Sequence, residues 1–141
     1  TQIVTGYLVR TAGVLAVLPL ERVRETFRPA PGAITTMVGR GRAILHHDEV
    51  LPVLSLAGEL GAAVVQPERV LVAIEARRRR TAVAVEQVVG VQQVVVRPIE
   101  GVAAAGGLIT GGALMGDGAV ALIIDADRLG ALAAEDVRAS A

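Results

Sequence analysis

GGALMGDGAVALIIDADRL, residues 111–129, reads as a β-hairpin that feeds a helix. Asp117-Gly118 lies between two apolar runs, and Asp-Gly is the pair a two-residue type I′ loop calls for, because both central residues need positive φ. Gly116 lets the first strand end tightly. The run Ala119 to Ile124 is apolar throughout and carries β-branched Val and Ile, the pattern of a strand buried on both faces. Asp125 ends it. The carboxylate of Asp125 or of Asp127 is placed to accept a free N–H at the start of a helix whose apolar positions are Leu129, Leu132 and Val137.

Outward from this stretch, short apolar segments alternate with turn residues. Residues 2–9 and 14–18 form a hairpin with a Gly-containing loop, and Pro19 stops its second strand. Leu20 to Thr26, with Glu21, Arg22, Arg24 and Glu25, suits one helical turn. Phe27 to Gly32, with Pro29 and Pro31, is an irregular connection. Strands follow at Ile34 to Val38, Ala43 to His46 and Val50 to Leu54, with Gly39-Arg40-Gly41 as a turn, and Pro52 predicts an edge or bulged position for the last of them. Leu56 to Leu60 is a helical turn closed by Gly61. Val70 to Glu75 and Thr81 to Val85 flank Arg77 to Arg80 as a hairpin with a basic loop. Val88 to Val96 is a long strand bulged at Gly90 and ended by Pro98, and residues 99–110 are a Gly- and Ala-rich loop. Short strands at this spacing predict an all-β barrel or sandwich with short helices. Leu51 to Gly61 and Leu122 to Gly130 share one order of strand, polar residue, Leu-bearing helix and Gly. That echo points to two related subdomains dividing near residues 62–69.

A chain of 141 residues is enough for one domain with a real core. The core must be aliphatic, because Tyr7 and Phe27 are the only aromatic residues. Its 14 basic residues, all Arg, balance 14 acidic ones, so the chain as a whole has no electrostatic bias toward nucleic acid or anionic membrane. Cysteine is absent, which excludes disulfides and thiolate metal sites and fits a reducing, cytoplasmic setting. No apolar run reaches the roughly 18 residues of a membrane span, so no membrane insertion is expected. With no initiator Met or signal-like start, Thr1 is expected to begin an excised piece of a longer protein.

Catalytic chemistry finds little material. Gly111 to Gly118 approaches the phosphate loop GxxxxGK[ST], but Asp117 stands where Lys must reach the phosphates and Gly118 replaces the magnesium-holding hydroxyl. No nucleotide or other cofactor is expected. His46 and His47, the only imidazoles, are followed by Asp48 and Glu49. Neighbours on a strand face opposite ways, so the two His converge on one metal only if the strand ends between them, and a solvated turn with no metal is expected. The only serines are Ser55, in a capping position, and Ser140, near the end of the chain. No catalytic residue is assigned. Arg77 to Arg80 lacks the aromatic platforms of a single-strand binder and reads as a solvated loop. Apolar strands with more Val and Ile than a small interior holds leave a protein-docking surface, with Met37, Val38, Ile44, Leu45, Val94, Val95 and Val96 as candidate contacts.

GDGAVALIIDADRL (116–129) resembles the closing motif of CheW-like domains, in the form carried by the C-terminal regulatory domain of CheA-type chemotaxis histidine kinases. GVLAVLPLERVRE (13–25), VLPVLSLAGELG (50–61) and VAVEQVVGVQQVVVRPI (83–99) agree with the family in order and spacing, so the resemblance covers nearly the whole chain. It implies two packed five-stranded SH3-like barrels, with a possible strand crossover between them. It also implies a non-catalytic role: binding a CheW-like adaptor and the cytoplasmic tip of a chemoreceptor, and regulating an attached kinase domain. Free-standing adaptors of the family usually lack the Gly-Asp-Gly turn, which favours the kinase's own domain over an adaptor or a hybrid motility kinase. The family's Arg-Gly before the Leu-Pro strand is replaced by His47, Asp48 and Glu49, so the contact that Arg makes is not carried over. From another class, a barrel binding single-stranded nucleic acid through Arg77 to Arg80 is the competing expectation.

Overall fold

The computed structural model describes residues 2–39, 41–99 and 106–139. Arg40 of the expected 39–41 turn, residues 100–105 of the expected loop and Ser140 lie outside them. The strands are β1 (Gln2–Thr11), β2 (Val14–Pro19), β3 (Val23–Phe27), β4 (Ile34–Met37), β5 (Gly41–His46), β6 (Glu49–Ser55), β7 (Val70–Ala76), β8 (Arg79–Val85), β9 (Gln87–Val96), β10 (Ile109–Leu114) and β11 (Val120–Ile124). Two helices, α1 (Leu56–Glu59) and α2 (Ala126–Ala139), follow β6 and β11. One sheet has the order β10-β11-β2-β1-β9, the other β3-β7-β8-β6-β5-β4.

The two sheets share one plan. In the first, the β1–β2 hairpin lies beside β11, parallel to β2; in the second, the β7–β8 hairpin lies beside β6, parallel to β8. β6 with α1 and β11 with α2 are therefore equivalent elements, which is the repeat visible in 51–61 and 122–130. The two plans are interlaced. The chain leaves the first sheet through a 3-10 turn at Leu20–Arg22, builds the whole second sheet, and returns at Glu86. The 62–69 connection, expected to divide the halves, joins α1 to β7, with strands of the second sheet both before and after it. The expected helical turn is a 3-10 turn confined to Leu20–Arg22, and Val23 to Thr26 belong to β3. Both crossings are fastened. Arg22 pairs with Asp127 of α2 at 3.0 Å and donates to the Glu75 carbonyl, and Glu86 accepts from the Ala12 N–H.

Period-two alternation sorts the side chains into three cores. Leu8, Val17, Val94, Ala113, Ala121 and Ile123 fill the first unit. Ile44, Leu51, Val53, Leu71 and three alanines fill the second, with Phe27 and Ile34 against them. The alternate residues of the same strands, Val9, Ala16 and Leu18 with Val70, Val72, Ile74, Val83 and Val85, meet between the units and are covered by Leu129 and Ala133 of α2. Residues 70–74 and 82–85 are unbroken apolar runs for that reason: one face fills a barrel and the other seals the joint.

The first sheet closes on itself. Arg97, just past β9, exchanges backbone hydrogen bonds of 2.8 Å with Gly112 of β10, joining the sheet's two edges. Glycine suits the seam: a Cβ on Gly111 would lie 2.8 Å from the Arg97 carbonyl oxygen, and one on Gly112 would lie 2.2 Å from the Ile99 side chain, which would have to move. Pro52 is not at an edge, since β6 lies between β5 and β8. The strand changes partner beside it, pairing β5 up to Pro52 and β8 from Val53, so the missing N–H falls at the switch. The bulge at Gly90 is present, with the β1–β9 register shifting between Leu8 and Val9. The β10–β11 loop differs from the expected pair. It spans three residues, the Gly118 N–H donating to the Met115 carbonyl, and Gly118 alone has positive φ, as in a turn followed by a glycine bulge. Asp117 instead accepts from the Ala119 N–H.

Asp125 caps α2, accepting from the N–H groups of Asp127 and Arg128, and Asp127 is used by Arg22. Glu59, at the end of α1, has its carboxyl pushed above the ordinary 4.5 by burial first, then by Asp136 and Glu135 of α2, with Arg128 opposing. A folded-state pKa above the unfolded one means that the charge costs stability once pH exceeds the folded pKa and costs nothing below the unfolded one. Glu59→Gln is thus expected to raise the melting temperature at pH 7 and to lose that advantage as pH falls below about 4. Thermal unfolding at the two pH values measures it, and an advantage that persists in acid would contradict burial as its cause.

Candidate functional site

The barrel seam sets an apolar row on the outside of the first unit. On β9, Val94 points inward and Val95 outward, opposite Ile3 of β1. Arg97 and Gly112 pair antiparallel across the seam, and period-two alternation turns Val95 to the same side as Arg97 and Leu114 to the same side as Gly112. Leu114 in turn faces Val120 of β11. Ile3, Val95, Leu114 and Val120 are 65%, 38%, 68% and 54% exposed, so none contributes to a core. An aliphatic row crossing four strands is surface a partner can desolvate. Ile3 joins the row through the β1–β9 register, and Leu114 and Val120 through the closure of the sheet, neither of which local sequence pattern shows.

The candidate contacts fall into two separate places. Met37 at the end of β4, Val38 just beyond it and Leu45 on β5 are exposed on the second unit, Val38 almost completely. Val95 belongs to the row on the first unit. Ile44 and Val94 are corrections: each is only 4% exposed, Ile44 packing inside the second unit and Val94 inside the first. Val96 is half-buried against the first core. A run of consecutive Val residues carries no alternation, so its inward members cannot be told from the outward one until the register is known.

The glycine-rich stretch 111–118 is a strand and its loop, and the Gly112 N–H is engaged at the seam rather than turned toward a ligand. Arg77 and Arg78 form the two-residue turn between β7 and β8, both at positive φ, with Arg79 and Arg80 opening β8. Arg80 and Arg24 share Glu75 at 3.7 and 3.5 Å. The basic loop is thus partly balanced at its base.

His46 and His47 converge. β5 ends at His46, and His47 and Asp48 turn the chain at positive φ, the condition under which neighbouring residues need not face opposite ways. Their Nε2 atoms lie 3.0 and 3.2 Å from Oε2 and Oε1 of Glu25 on β3. Hydrogen bonds from His46 and then His47 hold the Glu25 carboxyl below its ordinary range. Nothing in the sequence announces that β3 approaches the β5 turn, so Glu25 is legible there only as one charge of the 20–26 segment.

Comparison with known proteins agrees with this architecture. A family model described as CheW-like domain matches residues 5–133. The chain is 32% identical over 130 residues to the Chemotaxis protein CheA of Salmonella typhimurium, covering 90% of the chain and 19% of that protein. It is 30% identical over 142 residues to the Chemotaxis protein CheA of Klebsiella aerogenes, covering 99% of the chain and 22% of that protein. The chain thus spans about a fifth of the length of these relatives. Among solved structures, the scaffolding protein TtCheW of Thermoanaerobacter tengcongensis superposes with a TM-score of 0.71 at 17% identity, over 88% of this chain and 90% of that one, a likeness of fold.

Proposed function

The chain belongs to the CheW-like domain family, and on that premise we propose that it is the non-catalytic regulatory domain of a chemotaxis-type histidine kinase. In this reading it docks a CheW-like adaptor and the cytoplasmic tip of a chemoreceptor, and couples the receptor's signal to the attached kinase domain in the cytoplasm. CheW-like domains are scaffolds, and the outward aliphatic row of Ile3, Val95, Leu114 and Val120 is the observation that carries docking. Identity of 32% and 30% to proteins named CheA, together with the Gly-Asp-Gly motif, favours the kinase domain over a free-standing adaptor. No helix among the described residues is long and apolar enough to cross a membrane, in keeping with a domain that reaches the receptor only through protein contacts.

Salt separates docking from nucleic-acid binding. Aliphatic contact releases few counterions, so titration of a CheW-like adaptor at about 50 and about 200 mM salt is expected to give affinities within about threefold, whereas a site on four arginines would lose an order of magnitude or more. Replacing Arg77 to Arg80 by Ser is expected to leave adaptor binding within a factor of about three, the ~0.6 kcal/mol of exposed charges. Tight, salt-steep oligonucleotide binding with no adaptor binding would overturn the proposal.

A further inference from the structure

Glu25, His46 and His47 bring three metal-ligating atoms within 4.8 Å of one another. Three features of the fold place them there. β3 and β5 are separated in the sheet by β7, β8 and β6, yet Glu25 of β3 reaches the end of β5, so the cluster bridges the unit across its open side. Phe27, two residues beyond Glu25 and so on the same face of β3, stacks on the His46 ring at 3.7 Å and 3° and fixes its plane. The left-handed turn at His47 and Asp48, with φ of 50° and 63°, swings the second imidazole onto the same carboxylate. A tetrahedral zinc with bonds of about 2.0–2.1 Å has ligand atoms about 3.3 Å apart. His46 Nε2 lies 3.0 Å from Oε2 and His47 Nε2 3.2 Å from Oε1 of the one carboxylate, each near that edge, and with all three ligand atoms within 4.8 Å the two imidazoles need only draw in around a shared ion.

We propose that Glu25, His46 and His47 form a binding site for a divalent transition-metal ion, zinc foremost, that clamps β3 to the β5–β6 turn. Two imidazoles and one carboxylate suit zinc, copper or nickel, and do not suit magnesium or calcium, which take oxygen ligands. His47 is largely exposed, which leaves the fourth position to water or to a donor from outside the chain.

The site is independent of the docking proposal and is tested on the untagged chain with zinc chloride alone. His46 and His47 are the only histidines, so their ring resonances report binding directly. Zinc is expected to bind one to one, to shift both sets of ring resonances, and to raise the melting temperature, while magnesium in excess does none of these. Glu25→Gln and His47→Asn are expected to lower zinc affinity more than about a hundredfold, beyond the 10–100-fold that marks groups which only support a ligand. Asn tolerates positive φ, so His47→Asn keeps the turn. Circular dichroism and melting without zinc show whether each variant is folded. No zinc binding by the wild type, or binding that both folded variants retain, would overturn the site; a plain Glu–His hydrogen-bonded cluster gives the first of these.

Discussion

Leu129→Ala is expected to destabilise the fold by about 2–5 kcal/mol, the cost of emptying a well-packed aliphatic site. Leu129 has no exposed surface and lies on α2, where it covers the joint between the two units beside Ile74, Val83 and Val85. α2 follows β11 of the first sheet but packs on β7 and β8 of the second, so the cavity would open between the units rather than within either. Interlaced strands leave no unit free to unfold alone, and the loss should appear as one cooperative transition with a lower denaturant midpoint and an unchanged slope. A change below about 1 kcal/mol would mean that the helix does not seal the joint.

Much of this architecture is written in local pattern. Asp125 behind a β-branched run gives a cap that needs no tertiary context, and Gly90 inside a long strand gives a bulge. The shared order of 51–61 and 122–130 reflects equivalent strands in the two sheets. What escaped the sequence depends on register and closure. Val94, Val95 and Val96 are chemically alike, and only their pairing with β1 turns Val95 outward. Leu114 and Val120 become neighbours of Val95 because glycines at 111 and 112 let the sheet edges meet. Pro52 looks like an edge residue because a strand that changes partners midway resembles one that has lost a partner. Glu25 meets His46 and His47 across the second unit, between strands distant in sequence.

Val95→Asp and Leu114→Asp are each expected to weaken adaptor binding by at least a hundredfold, about 2.7 kcal/mol. The carboxylate would have to be desolvated against an aliphatic surface with no cation to meet it, a cost of the size that marks a binding hot spot. Both side chains face water in the free chain, so the melting temperature should hold, with stability changing by no more than about 0.5 kcal/mol. Ile44→Asp and Val94→Asp should behave in the opposite way, unfolding the chain by burying an unpaired charge in a core. The most direct test is calorimetric titration of a CheW-like adaptor into the wild-type chain and into Leu114→Asp, with the melting temperature of each recorded in the same buffer. The account predicts saturable binding by the wild type and none by the equally stable variant. Undiminished binding by a folded Leu114→Asp, or no binding by the wild type, would contradict it.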